Sequence, residues 1–513
     1  MTHTIFTATS FGTSAKIIEV EAAFTKGMPQ FNITGLAHSS ILESKQRVLS
    51  ALANSDITLP PLKVNINLSP SDLPKSGGHF DLPIALALQK NTQDDGQWFA
   101  FGELGLDGSI KYLDSIYPLL LDIALLYPQA KVFVPLGAKD LLSLIPNVCF
   151  YFVSHLKEAI DILNNPLLDS HISTISQDLE SNSQTLGFKS IEIAGEQYFY
   201  DDNFMQDFAE VKGQHIAKRA ALIAAAGFHN FMMEGSPGCG KSMIAKRLLY
   251  ILPPSSLQEM IENVKHQSLN KQSVAYTPLR PFRNPHQSAS KSSILGSATQ
   301  FEAKPGEIAL AHNGILFFDE LPHFKKDILE SLREPLENNK LVVSRVHSKL
   351  EYDTSFLFVA ALNPCPCGNL LSKSKECRCQ EREINAYRTR ISEPLLDRID
   401  LFVQMSEYEE DALLSPINLD SAHMQKMVFD AFALQKSRGQ TIFNGKLDER
   451  EIALFCMLND ECEALLQQAS ERFSLSYRAQ NKVKKVARTI ADLANETHIQ
   501  KPHILEALSY RRI

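Results

Sequence analysis

Residues Gly235-Ser236-Pro237-Gly238-Cys239-Gly240-Lys241-Ser242 spell a complete G-x-x-x-x-G-K-[ST] phosphate loop. The spacing follows from the chemistry. Gly235, Gly238 and Gly240 let the backbone curl until its N–H groups point at a β-phosphate. Lys241 reaches the β- and γ-phosphates, and the Ser242 hydroxyl sits on Mg²⁺. Ser236, Pro237 and Cys239 fill the variable places of the loop. The flanks agree: Asn230-Phe-Met-Met233 reads as a short buried strand and 243–249 as a helix. That helix's N-terminus would add partial positive charge toward the phosphates. Strand, loop and helix in this order predict a site for ATP and Mg²⁺.

Further along, Ile315-Leu-Phe-Phe-Asp319-Glu320 is an apolar run ending in two carboxylates. Such a run suits a parallel strand buried on both faces, whose carboxyl end is where open α/β sheets bind ligands. Asp319 would hold Mg²⁺, and Glu320 would polarise an attacking water as general base. A third apolar strand, 356–362, delivers Asn363 to the same edge, where a neutral amide would orient that water. An ordinary acidic strand-to-turn pair is the alternative for Asp319 and Glu320.

The chain has 513 residues, enough for two to four domains with their own cores. Its 51 basic and 59 acidic residues give a net charge of −8, so bulk charge does not announce nucleic acid. The opening residues lack the charged-then-apolar pattern of a secretory leader. No apolar run approaches the ~18 residues of a membrane span, and the segment Leu119 to Leu126 is interrupted by Asp122. Eight cysteines, four of them clustered, suit a reducing cytoplasm. A tract rich in Ser, Asn, Gln and Asp from Ser170 to Ser190 reads as linker. The expected division is an N-terminal domain over 1–165, a linker over 166–205, an α/β core over 206–405, and a helical lid over 406–513.

Several segments resemble the magnesium-chelatase-like branch of the AAA+ ATPases, and within it the ComM (YifB) family. They are Val211-Lys-Gly-Gln214, the phosphate loop, Arg280-Pro-Phe-Arg283-Asn-Pro-His286, and Gly306 to Gly314 leading into Asp319. Asn363-Pro-Cys-Pro-Cys-Gly368, Tyr387 to Ser392, Leu395 to Asp400 and Leu475 to Ala479 complete them, in order, over nearly the whole chain. Gln287, where a second His commonly stands, and the polar Glu234 depart from the pattern. The resemblance implies a hexameric DNA motor that drives branch migration of recombination junctions during natural transformation. It makes Arg398 an arginine finger acting on a neighbouring subunit's nucleotide, an effect of about 10³ to 10⁵ in rate. It makes Arg478 a lid arginine that senses the γ-phosphate, in cis or in trans, and leaves Arg333 a weaker trans candidate. A chelatase-type motor remodelling a protein partner is the rival reading, although no metal-presenting acidic domain follows the lid.

The N-terminal segments Lys63 to Ser69, Gly77 to Leu88 and Phe101 to Ser109 resemble Lon-type protease domains. His79 stands where that family carries its serine, and Tyr117 stands near its lysine. Neither supports acyl transfer, so a non-proteolytic scaffold is expected, and neighbouring Lys75 and Ser76 do not replace the pair.

Two segments would project into a ring's channel and meet DNA. One carries Arg280, Arg283 and His286. The other is Val342 to Leu350, whose alternation is expected to set Arg345, His347 and Lys349 on one strand face as a phosphate tracker. A solvated hairpin face is the alternative. In the basic lid, Lys482, Lys485 and Arg488 lie at helical spacing and are further candidates. Cys365, Cys367, Cys377 and Cys379 form a C-x-C-x₉-C-x-C array within the core segment 365–379. Four thiolates suit tetrahedral Zn²⁺, against the alternative of reduced loop cysteines.

Overall fold

The computed structural model describes residues 2–11, 14–90, 97–165, 172–173, 187–270, 274–298, 303–345, 348–405 and 419–511. Its centre is a parallel sheet of five strands: β1 (Phe231–Gly235), β2 (Phe282–Arg283), β3 (Ile315–Phe318), β4 (Leu357–Leu362) and β5 (Leu401–Met405). They lie in the order β2-β3-β4-β1-β5. Side chains alternate across a strand, and here the alternation separates two cores. Phe231, Met233, Phe317, Val359, Ala361 and Val403 join one hydrophobic cluster. Met232, Leu316, Phe318, Phe358, Ala360 and Leu362 join the other. A sheet covered on both faces explains why these strands read as continuous apolar runs.

The first cluster is shared with helix α1 (His215–Gly227), helix α2 (Lys241–Arg247) and the helical C-terminal unit. That unit comprises helices Ser421–Ser437, Glu449–Phe455, Asp460–Phe473, Tyr477–Leu493 and Lys501–Ser509. The N-terminal unit is built on an eight-stranded sheet, whose edge strand Ile172–Ser173 pairs with Val148–Val153.

The segment 166–205, expected as linker, is corrected in part. Lys189–Ile193 and Glu196–Tyr200 form a β-hairpin that pairs through Tyr198 and Phe199 with Ser256 and Ser255. Ile193, Tyr198 and Phe432 pack together beneath it. The apolar alternation of this hairpin finds a face to bury, so it belongs with the core and not with the polar tract before it.

Helix α3 (Leu257–Leu269) ties the two units together. Ile261 and Val264 complete the apolar cluster of the N-terminal helix Tyr117–Leu126. Lys265 pairs with Asp122 at 3.0 Å, and the Tyr117 and Tyr276 hydroxyls share a hydrogen bond of 2.7 Å. His266 lies half-buried on α3, its Nδ1 shut off from solvent, with its ring 5.5 Å from that of His312. Burial first, and then the nearby His312, depress the His266 ring to about 3. Burial likewise depresses His79 to about 4.

Arg280, expected near a DNA channel, is instead a buried strut. It donates to the carbonyls of Pro253, Pro254 and Asn313 at 2.8 to 2.9 Å and forks onto Glu259 at 2.9 and 3.1 Å. Its guanidinium also lies 5.6 Å from the Phe228 and Phe443 ring centroids.

Two outcomes follow for stability. Arg280→Met leaves Glu259 and three carbonyls without their donor, so a loss of ~3–5 kcal/mol is expected, read as a lowered apparent Tm. The depressed His79 and His266 act in one direction. The unfolded chain binds their protons below its ordinary pKa of about 6.5, whereas the folded chain does not, so their contribution is full above that pH and lost as pH falls through the folded values. Each adds a slope of up to ~1.4 kcal/mol per pH unit in that window. Thermal scans from neutral to mildly acid pH should show a falling Tm, with a shallower slope in His266→Gln.

Candidate nucleotide site

The site grows from the carboxyl edge of the central sheet. β1 ends at Gly235, where an added Cβ would meet Cys239 Sγ at 2.7 Å and the Met405 carbonyl oxygen at 2.8 Å. Gly238 and Gly240 hold φ of +84° and +98°, the left-handed region that the turn requires, and α2 begins at Lys241. The space a Cβ would occupy at Gly238 is open, so the loop forms an uncovered cradle. Ser236 Oγ is buried beside it with no partner.

Lys241 draws the strand ends together. Its ammonium donates to the Gly235 and Ser236 carbonyls at 2.6 and 2.9 Å and to Asn363 Oδ1 at 3.2 Å. Ser242 Oγ donates to Asp319 Oδ2 at 2.8 Å, and the Glu320 amide donates to Asp319 Oδ1 at 3.0 Å. Glu320 takes φ +52°, and its carboxylate is half exposed, 4.0 Å from His323 Nδ1. The positive φ of a non-glycine residue here aims the side chain off the strand direction, as functional positions often require. The open cradle, the unpartnered Ser236 hydroxyl and the oxygen pair of Ser242 and Asp319 fit a nucleotide phosphate chain with Mg²⁺.

Arg398 and Arg478 lie together. Arg398 is buried and donates to the Arg333 carbonyl at 3.1 Å, to the Pro394 carbonyl, and to Glu337. Arg478 donates to the other Glu337 oxygen at 3.1 Å and reaches Asp397 at 3.6 Å. Partial burial would raise the Glu337 carboxyl, but the Arg398 hydrogen bond and the two guanidinium charges outweigh it and hold the group below its usual range. Arg333 pairs with Glu330 at 3.0 Å. Glu337 is the residue that the motifs missed. It carries no local signature, and its partners lie far along the chain.

The four cysteines converge. Cys365 Sγ lies 3.4 Å from Cys367 and 3.7 Å from Cys377, Cys367 lies 3.7 Å from Cys377, and all four sulfurs fall within 4.8 Å of one another. Tetrahedral Zn–S bonds of about 2.3 Å set sulfurs about 3.8 Å apart, so the donor set and its spacing fit that ion.

The basic candidates for DNA fare differently. Arg283 forks onto Glu307 at 2.7 and 2.9 Å and is no free cation. His286 is exposed and hydrogen bonds to Ser288 at 2.7 Å. Lys485 donates to the Gly445 carbonyl at 2.8 Å, Lys482 sits against Ile399 and Asp397, and Arg488 is buried against Asp492. These side chains serve the packing of the C-terminal unit. The single strand expected over 342–350 is a hairpin of Lys340–Arg345 and Ser348–Asp353. Its register pairs Arg345 with Ser348 and Ser344 with Lys349, so alternation along one strand does not align Arg345 with Lys349. His347 lies outside the described residues. No helix among the described residues is long and apolar enough to cross a membrane.

Known proteins match this architecture segment by segment. The family described as magnesium chelatase, subunit ChlI, matches residues 207–413, subunit ChlI of Mg-chelatase matches 20–137, and the ChlI C-terminal family matches 418–511. Competence protein ComM of Haemophilus influenzae is 34% identical over 516 residues, covering 99% of this chain and 97% of that protein. YifB of Escherichia coli is 34% identical over 518 residues, with the same coverage. Since these similarities run through the phosphate loop, the Asp319 strand and the helical C-terminal unit alike, the chain belongs to the ComM/YifB family of magnesium-chelatase-like AAA+ ATPases.

Proposed function

We propose that this protein is an Mg²⁺-dependent ATP hydrolase working as a ring, most simply a hexamer, that moves on DNA and promotes branch migration of recombination junctions in the cytoplasm. The observation that carries the hydrolase reading is the joining of three strand ends by Lys241–Asn363 and Ser242–Asp319. Bound Mg²⁺·ATP supplies the phosphoryl group to be transferred. Lys241 holds its charge, Ser242 and Asp319 would hold the metal, Glu320 takes a proton from water, and Asn363 orients that water.

The pairing of Arg398 and Arg478 on one carboxylate supports a shared role for the two. We assign both to a neighbouring subunit's nucleotide, with Glu337 holding them until phosphate charge replaces it. The competence name of the Haemophilus relative supports DNA as the substrate. The hairpin 340–353, anchored through buried Leu350 and Tyr352 against Ala309, is the best remaining DNA-contacting element, with Arg345 and Lys349 near the inner ends of its two strands and His347 between them in sequence. The N-terminal unit is read as a Lon-like scaffold without proteolysis: His79 is buried with Nε2 on the Ala8 carbonyl oxygen, and Tyr117 is engaged with Tyr276. The magnesium chelatase families that match the chain favour one rival, a motor remodelling a protein partner.

Lys241→Ala should abolish ATP binding. Glu320→Gln should keep binding and lower hydrolysis by ~10²–10⁴-fold, measured by phosphate release. Hydrolysis by the wild-type chain should rise severalfold with single-stranded or branched DNA, and Arg345→Ala with Lys349→Ala should blunt that rise while sparing basal turnover. Hydrolysis indifferent to every DNA would sink the DNA reading in favour of a protein client.

A further inference from the structure

The cysteine cluster stands against the nucleotide site. Cys365 follows Asn363 by two residues, and Asn363 accepts from Lys241. Within the segment, directly after Cys367, Gly368 takes φ +80°, and a Cβ there would lie 2.5 Å from Pro237 Cδ, in the middle of the phosphate loop. The cysteine segment therefore touches the loop at two points, one through the Lys241 ammonium and one through Pro237.

The segment has little of its own to hold this position. Residues 363–380 contain neither helix nor strand. Turns close it locally, with the Gly368 amide donating to the Cys365 carbonyl and the Ser372 amide to the Asn369 carbonyl, both at 3.0 Å. Neither turn ties the Cys365 end to the Cys377 end. The sulfurs do: Cys365 and Cys367 face Cys377 at 3.7 Å, too far for a disulfide and well matched to a shared ion. A metal clip closing such a loop contributes directly to its order.

From this juxtaposition we propose that Cys365, Cys367, Cys377 and Cys379 bind Zn²⁺, and that the closed knuckle, through Gly368 on Pro237 and through Asn363 on Lys241, sets the phosphate loop in its nucleotide-binding shape. Zinc occupancy then controls nucleotide affinity at a distance from the phosphates. The control rests on the reading of 235–242 as an ATP site; the metal site does not. Gly368 is a positioning residue in this scheme, since it touches neither metal nor nucleotide.

The test uses the full chain and reads metal and nucleotide separately. Purified protein should carry equimolar zinc by elemental analysis, and Co²⁺ exchanged into it should give the visible bands of a tetrahedral thiolate site. Removing zinc with a chelator should weaken binding of a fluorescent ATP analogue by about tenfold or more, the scale of supporting-shell losses, and adding zinc back should restore it. Gly368→Ala should keep the zinc and the cobalt bands yet weaken the analogue to a similar degree, because its Cβ pushes on Pro237. Cys377→Ser with Cys379→Ser should lose both. Absence of zinc and of the cobalt bands would overturn the metal site. Unchanged analogue affinity after zinc removal, or in Gly368→Ala, would overturn the control. A wild-type chain that binds no more analogue than Lys241→Ala would overturn the ATP reading itself, while the cobalt spectrum still judges the metal.

Discussion

The register of the parallel sheet is the constraint on which the site depends. β1 and β4 pair Met233 with Ala361 and Glu234 with Leu362, so Gly235 and Asn363 leave the sheet side by side. Lys241, one short loop later, then finds the Gly235 carbonyl and the Asn363 amide oxygen within reach of one ammonium. β3 and β4 pair Phe318 with Ala360, which places Asp319 at the same edge to accept from Ser242. A slip of one residue would turn every side chain to the other face. The two separate apolar clusters forbid it, so side chains remote from any ligand fix where the polar ones emerge.

The charged residues obey a different rule. A cation drawn out of water is tolerated only with partners, and this chain provides them: Glu259 for the buried Arg280, Glu307 for the half-buried Arg283, and the buried Asp492 for Arg438 and Arg488 together. Arg398 follows the same rule through Glu337, but shares that carboxylate with the more exposed Arg478. Glu337 is itself part-exposed, unlike the fully buried Asp492, so it can release one guanidinium to solvent and remain paired with the other. Exchange at Glu337 therefore costs less than unpairing Arg280 from Glu259.

The sequence was legible where the chemistry is local. The phosphate loop, Asp319 and Glu320 at the end of an apolar run, and Asn363 after the next one are read from spacing within a few residues, and the sheet brings them together as expected. The clustering of the four cysteines was legible for the same reason. Legibility failed where the outcome depends on distant partners. Nothing near Arg280 or Arg283 announces Glu259 or Glu307, so inward struts were read as outward cations. The hairpin 189–200 was hidden by the polar tract before it, although Ala194 and Gly195, both at positive φ, form the tight turn that such strands prefer. At 342–350 the alternation points to extended chain, but nothing local in it shows that the segment divides into two paired strands, 340–345 and 348–353.

The seam of the N-terminal unit shows a polar pair that serves packing alone. Tyr117 lies buried at the head of its helix, and its hydroxyl meets Tyr276 across the seam. Burial raises both tyrosine hydroxyls well above their ordinary range, so both stay neutral, as a hydroxyl pair in an apolar setting must. A lysine at the seam would bring a charge needing a partner. The tyrosine pair needs none, and with Ile261 and Val264 packed alongside, apolar contact together with the Lys265–Asp122 ion pair holds the N-terminal unit to α3. Helix α3 also carries Glu259, which anchors Arg280 beneath the β2 edge of the central sheet. The seam and the sheet are thus joined by one helix.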